Sequence, residues 1–209
     1  ENVLLIVDPN DANSLYVANY YKTARGIPDR NVIYMDPESS NYDAFVGFQL
    51  EAFLGTLTTR AIDDHIDYVI IPPGPDYRIS ASGFISDGCS SVTRFSIASI
   101  YTLAHIVEYF GFSDAPRAFD SNTLYLSGNP SSSSSARRYF IGAMLGYNGE
   151  RGNTIEETTD MIDRSVAADG TRPDGTFYFM KTNDPNRSGP RDPLFRTAIQ
   201  VINGRGGQA

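Results

Sequence analysis

The run Ile66-Asp67-Tyr68-Val69-Ile70-Ile71-Pro72-Pro73-Gly74-Pro75-Asp76-Tyr77-Arg78 organises the chain. β-Branched and aromatic residues fill its first half and end against Pro-Pro-Gly-Pro, the pattern of a buried central strand feeding a rigid loop. Three prolines and a glycine stop the sheet and fix the path of the loop. Polar residues come at once: Asp76, Arg78, Ser80, Ser82, Ser86 and Asp87. Ligands of open parallel sheets bind outside the carboxyl ends of the strands, so a site is expected here.

Upstream of this run, Val3-Leu4-Leu5-Ile6-Val7 is a continuous apolar segment of strand length, as in a strand buried on both faces. Asp8-Pro9-Asn10-Asp11 breaks it, and Asp11 or Asn13 can cap the next helix. Leu15, Ala18, Tyr21 and Ala24 recur near helical spacing, and Gly26 stands where a helix C-terminal glycine belongs. A second strand is predicted over 31–35. A helix is predicted over 42–61, with Gly47 and Gly55 each weakening it by about 1 kcal/mol relative to alanine.

Downstream, the segment 72–93 reads as a loop of about twenty residues, long enough to suggest a function. A helix is predicted over 95–112, a strand at Thr123-Leu124-Tyr125-Leu126 and a helix over 137–145. Thr154-Ile155-Glu156-Glu157 is a capping box, opening a helix with Met161, Ile162 and Val166 inward. Thr176-Phe177-Tyr178-Phe179-Met180 reads as a fifth strand, and a last helix covers 194–202. Strands alternating with helices imply an α/β fold, a three-layer sandwich around a mostly parallel central sheet of about five strands. Right-handed crossovers place every strand-to-helix loop at one edge. Residues 1–203 form a single α/β domain on this reading, and 204–209 (Gly-Arg-Gly-Gly-Gln-Ala) look like the start of a linker to a further C-terminal part.

The bulk properties narrow the function classes. Of 209 residues, 41% are hydrophobic and 20% charged, enough apolar material for a packed core. The net charge of −8 argues against a nucleic-acid surface and against an anionic membrane as partner. No run of about 18 apolar residues exists to span a bilayer. A single cysteine, Cys89, rules out an intrachain disulfide, and fits a reduced compartment or a bacterial exported protein without staples. The chain opens at Glu1 directly into strand-like residues, consistent with a signal peptide already removed.

Five loops are expected at the carboxyl edge: 8–14, 36–41, 72–94, 127–138 and 181–191. Arg78, Arg94, Arg187 and Arg191 could clamp a carboxylate bidentately; Asp76, Arg78, Arg94 and Arg187 are the ligand-binding candidates. Pairing of the same arginines with loop aspartates is the plainer alternative. The weak catalytic candidates are Cys89 and Asp87. A cysteine nucleophile needs a base to form thiolate, yet His65 precedes the central strand, at the opposite edge, and His105 sits inside a predicted apolar helix. No G-x-S-x-G elbow is present for a serine enzyme.

Asp8, Asn10, Asp11 and Asn13, or Asp76, Asp87, Asp184 and Asp192, could offer oxygen ligands to calcium or magnesium. Their spacing does not fit an EF-hand, and capping and turn formation account for them more simply. One cysteine and two histidines argue against zinc, so no metal site is expected. Gly128-Asn129-Pro130 and the serines after it precede a helix and could hold an anion. The chain lacks both a P-loop G-K-[ST] and a dinucleotide G-x-G-x-x-G, so no cofactor is expected. Asn186-Arg187-Ser188 is the one N-glycosylation sequon.

Several segments taken together carry a resemblance. They are Ser14-Leu-Tyr-Val-Ala-Asn-Tyr-Tyr with Arg25-Gly26-Ile27-Pro28, Asp67-Tyr-Val-Ile-Ile-Pro-Pro-Gly, and Ser86-Asp87-Gly88-Cys89. Later come Met144-Leu-Gly-Tyr with Gly152-Asn153-Thr154, and Ala168-Asp169-Gly170-Thr171-Arg172-Pro173 with Gly175-Thr176-Phe177-Tyr178. The chain resembles, over nearly its whole length, an uncharacterised bacterial family of conserved hypothetical proteins, typically longer and exported. No activity is attached to that family, so the resemblance implies a secreted or cell-envelope location and no catalytic residue. A looser likeness is to the caspase–gingipain fold, which like the flavodoxin fold is an open α/β sheet. Those proteases carry His-Gly after one strand and a cysteine after the next. The corresponding positions here read Pro73-Gly74 and Ser127-Gly128, which implies the fold without the protease chemistry.

Two functional readings are compatible with these features. The first is an exported, non-catalytic α/β domain that binds a ligand or protein partner, or self-associates as a subunit of an extracellular assembly; thirteen Tyr and twelve Phe exceed what the core places, and exposed aromatics favour contacts. The second is a hydrolase using the 72–94 loop, degenerate cysteine-peptidase-like with Cys89 at its centre, or metal-assisted.

Overall fold

The computed structural model describes residues 2–74, 76–81, 94–105, 107, 139–171, 175–181, 183–184, 188–189 and 192–208. It divides into two compact units, Glu1–Val166 and Ala167–Ala209.

In the first unit, β1 (Val3–Val7) leads through α1 (Ala12–Arg25) to β2 (Val32–Tyr34). Then come α2 (Tyr42–Ala44), a π-helical turn (Phe45–Gln49), α3 (Leu50–Thr59) and β3 (Tyr68–Ile71). Next are β4 (Arg78–Ser80), β5 (Arg94–Ser96), α4 (Ile97–Thr102), β6 (Ile141–Met144) and α5 (Ile155–Ala167). Four strands form one sheet in the order β2-β1-β3-β6, every pair parallel. Leu5 registers against Val32 on one side and Ile70 on the other. The fold is therefore α/β with a parallel sheet.

The apolar runs are continuous because both sheet faces are buried. Leu4, Ile6, Val69 and Ile71 point into a cluster with Tyr42, Phe45, Phe53, Leu57, Ile100 and Tyr101. Leu5, Val7, Val32 and Ile70 point the other way and pack with Ala18 and Ile27. The larger cluster is aromatic at its centre: Phe53 meets Tyr101 at 5.1 Å and Phe140 at 5.8 Å, both edge to face. On the other side, α1 is tied to α5 by Tyr20, whose hydroxyl donates to Asp163 at 2.7 Å, and by Arg25, which donates to Ser165 Oγ at 2.6 Å.

The helix ends obey local rules. Asp11 caps α1, its Oδ1 accepting from Asn13 N–H at 2.8 Å and Ser14 N–H at 3.4 Å. Gly26 closes the same helix at φ 61°, with its N–H turned back to the carbonyls of Lys22 and Thr23. At α5 the capping box is reciprocal: Glu157 N–H donates to Thr154 Oγ1 at 3.1 Å and Thr154 N–H to Glu157 Oε2 at 2.9 Å.

Several expectations are corrected. Residues 141–144, read as part of a helix, are the strand β6, paired along β3 from Tyr68↔Ile141 to Ile71↔Met144. A short apolar run suits either state; the open edge of β3 and the nearness of α4 decide it. Gly142 N–H donates to Thr102 Oγ1 at 3.1 Å, and a Cβ on Gly142 would collide with the Ala98 carbonyl. The helix expected from 95 starts at Ile97, because Ser96 caps it by accepting from Ser99 N–H at 3.0 Å while 94–96 pair as β5. The stretch read as one long loop is bounded by an antiparallel ribbon, β4 with β5. The helix over 42–61 is interrupted by the π-helical turn. Met161, expected inward, is exposed beside the buried Ile162. The predicted strand 123–126 lies outside the described residues.

In the second unit, α6 (Asp192–Gly204) is the long element. The strand expected at 176–180 is not in a sheet; Thr176 makes a single parallel bridge to Gln208, and Phe177 N–H donates to the Gln208 carbonyl at 2.8 Å. Phe179 packs on Phe195 at 5.1 Å.

Candidate functional site

The chain crosses from β2 over β1 to β3, so the strand order reverses between β1 and β3, the kind of point at whose carboxyl edge open α/β sheets bind ligands. Beside it, β4 and β5 pair Arg78 with Ser96, Ile79 with Phe95 and Ser80 with Arg94. Strand alternation turns Ile79 into the core and stacks Phe95 on Tyr42 at 4.9 Å. The same alternation puts Arg78, Ser80 and Arg94 on the opposite face, where Arg94 Nη1 approaches Ser80 Oγ at 3.5 Å.

That face borders a polar cavity of about 510 Å³. Carboxylates come from Asp36, Glu38 and Asp76, guanidinium groups from Arg78 and Arg94, and hydroxyls from Ser39, Ser40 and Ser80. The loop after β2 supplies half of this wall and is held from behind. Asp36 Oδ1 accepts from Glu38 N–H at 2.9 Å. Gln49, at the end of the π-helical turn, donates to the carbonyls of Asp36 at 2.7 Å and Glu38 at 2.8 Å. The buried Tyr101 hydroxyl donates to the Pro37 carbonyl at 3.0 Å, and burial pushes its ionisation up. Asn41 bridges to Ser80, fastening the loop to β4.

Glu38 is the perturbed group. Its carboxyl is half-buried and held above the ordinary value, first by burial, then by the negative charges of Asp76 and Asp36, with Asp8 adding to them. A hydrogen bond from the Asp76 backbone opposes the rise. A Cβ on Gly74 would stand 3.4 Å from Glu38 Oε1, an ordinary contact distance, so the loop after β3 runs alongside this carboxylate. Further along, Arg78 lies over the Tyr77 ring at 5.2 Å, and that ring meets Tyr147 edge to face at 4.9 Å. Asn148 N–H donates to the Gly74 carbonyl at 3.2 Å, joining the loops after β3 and β6.

Of the residues nominated from sequence, Asp76, Arg78 and Arg94 are brought together on this cavity. Cys89, Asp87 and Arg187 lie outside the described residues, as does the 127–138 loop; the loop after β6 is 145–154. Ser80 falls in the polar stretch expected to carry the site, whereas Asp36, Glu38, Ser39 and Ser40 are not among the sequence candidates, although Asp36-Pro37-Glu38 directly succeeds a strand and belongs to a loop expected at this edge. Asp8 and Asp11 serve a turn and a cap, Asp8 Oδ1 accepting from Asn10 N–H at 2.8 Å. Among the described residues no three His, Cys, Asp or Glu side chains are grouped as metal ligands would be. His65 faces Asp64 at 3.4 Å and His105 stacks on Phe140 at 4.6 Å; neither lines the cavity. No helix among the described residues is long and apolar enough to cross a membrane.

Comparison with protein-family models, with curated proteins and with solved structures returns no match to this chain.

Proposed function

We propose that this is a non-catalytic ligand-binding α/β domain whose site is the carboxyl-edge cavity, and that it takes a small polar molecule carrying both an anionic and a cationic group. One observation carries the reading: two guanidinium groups and three carboxylates, from segments far apart in sequence, line one cavity of about 510 Å³. Guanidinium groups recognise a carboxylate or phosphate through paired hydrogen bonds. The carboxylate wall, with Glu38 held above its ordinary ionisation range, favours an incoming cation. The strand order β2-β1-β3-β6 supports a flavodoxin-like or caspase-like three-layer arrangement, in which this edge is the usual binding place. The single cysteine, and the resemblance to an exported bacterial family, support action in the envelope or outside the cell.

The test is calorimetric titration of the whole chain with a panel of amino acids, dipeptides and amino sugars. A binder is expected, with Arg78→Ala and Arg94→Ala each weakening it roughly tenfold or more, the loss of a charged hydrogen bond. No binding across the panel, together with rapid labelling of Cys89 by iodoacetamide at neutral pH, would move the assignment to the hydrolase reading.

A further inference from the structure

The outer surface of α3 carries a groove of about 620 Å³ floored by Ala52, Gly55, Thr56 and Thr59, with Glu51 and Arg60 at its ends. Phe48 borders it at 82% exposure. A second groove of about 570 Å³ runs along the other flank, past Val46, Leu50 and Leu54.

Gly55 stands out on this surface. A helix-interior glycine gives up conformational stability, and a close approach by another part of the fold is the usual reason for keeping one. Gly142 has such a reason, in the Ala98 carbonyl. Gly55 has none among the described residues, since a Cβ there would meet nothing within 4 Å. The space it leaves faces outward.

We propose that α3 packs antiparallel against α3 of a second copy of this chain, crossing at Gly55–Thr56, with Glu51 of each copy facing Arg60 of the other. In an antiparallel pair crossing there, Gly55 meets Thr56 and Ala52 meets Thr59, so the two backbones approach closely. Glu51 and Arg60 stand about 7 Å to either side of the crossing point, at 1.5 Å of rise per residue. The twofold axis therefore brings opposite charges together twice, which makes the face self-complementary, as an isologous interface requires. Neither Glu51 nor Arg60 has an ionic partner among the described residues. Arg60 is already positioned, its Nη1 donating to the carbonyls of Arg30 at 3.0 Å and Val32 at 2.6 Å. The Thr56 hydroxyl is turned back to the Ala52 carbonyl at 2.7 Å, so its polar end is satisfied within the helix. Phe48, one turn before Ala52, adds apolar surface at each end of the contact.

Sedimentation velocity of the full chain from low to high micromolar concentration tests this. A reversible monomer–dimer equilibrium is expected. Gly55→Leu should abolish the dimer and leave the monomer folded, because nothing among the described residues lies within 4 Å of a Cβ placed there. Glu51→Arg and Arg60→Glu should each weaken self-association at least roughly tenfold, and an equimolar mixture of the two variants should dimerise again, both cross-helix pairs then having opposite sign. Melting curves of each variant separate loss of association from loss of fold. A chain that stays monomeric throughout, a dimer indifferent to Gly55→Leu, or folded charge variants that fail to associate on mixing would each overturn the proposal.

Discussion

The hydroxyl of Tyr101 donates to the carbonyl oxygen of Pro37 at 3.0 Å, tying the aromatic core to the loop that carries Asp36 and Glu38. Tyr101 is fully buried in ring contact with Phe45 and Phe53, so the loop is anchored to the aromatic centre of the core. Tyr101→Phe keeps the ring packing and removes the donor, leaving the Pro37 carbonyl without it. The expected cost is about 1 kcal/mol in urea unfolding, with faster amide exchange confined to residues 38–40. A uniform rise in exchange across the domain would show that the bond holds the core instead of the loop.

Glu38 gives the chain a pH signature. Its folded-state ionisation lies above the ordinary value of 4.5, so the folded protein binds this proton more tightly than the unfolded chain does. Ionisation therefore costs stability: the contribution is most favourable below the ordinary value and is lost as pH rises through the interval up to the raised one. Glu38→Gln should remove this dependence, making the variant more stable than the parent at neutral pH and equal to it on the acid side. A cation entering the cavity should lower the ionisation point and release a proton on binding. Carboxyl-carbon NMR titration of Glu38, with and without a bound ammonium compound, measures both.

Gly142 and Gly55 should answer alanine in opposite ways. At Gly142 the new methyl meets the Ala98 carbonyl and the Thr102 hydroxyl, so Gly142→Ala should cost about 1–3 kcal/mol by forcing α4 off β6. At Gly55 the methyl meets nothing, and Gly55→Ala should stabilise the isolated domain by about 0.4–1 kcal/mol. Paired denaturation curves on dilute protein decide both.

The capping box of α5 is a local test of the same energetics. Thr154→Ala removes the oxygen that accepts Glu157 N–H at 3.1 Å and should lower stability by about 1 kcal/mol. Glu157→Gln retains an acceptor for Thr154 N–H and should cost less. Equal losses in thermal unfolding would mean that the carboxylate charge, not the hydrogen bond, matters at this helix start.

Much of the scaffold is readable from the chain alone because its signals act over a few residues. Val3–Val7 and Tyr68–Ile71 are short, mostly β-branched and aliphatic runs bounded by Asp8-Pro9 and by Pro72-Pro73-Gly74, which favours strands. Asp11, Gly26 and Thr154 set helix ends through bonds to groups within four residues of themselves. The site is half legible for the same reason. Asp76 and Arg78 come after a strand stop that Pro72, Pro73 and Gly74 announce, while Glu38 is made distinctive first by its burial and then by the charges of Asp76, Asp36 and Asp8, of which Asp76 and Asp8 reach it from other loops.

The sequence by itself determined the strands β1 and β3, a helix start at Asp11 or Asn13 and another at Thr154, and the α/β alternation, since periodicity, proline stereochemistry and capping are local. Tertiary structure alone decided that residues 141–144 pair as a strand, where the edge of β3 and the carbonyl of Ala98 override an ambiguous run. It also decided that Arg94 faces Ser80 across a ribbon, and that Glu38 shares a cavity with both arginines. Those contacts join segments tens of residues apart, and their energy appears only when the sheet, the π-helical turn and Tyr101 have fixed where each loop runs.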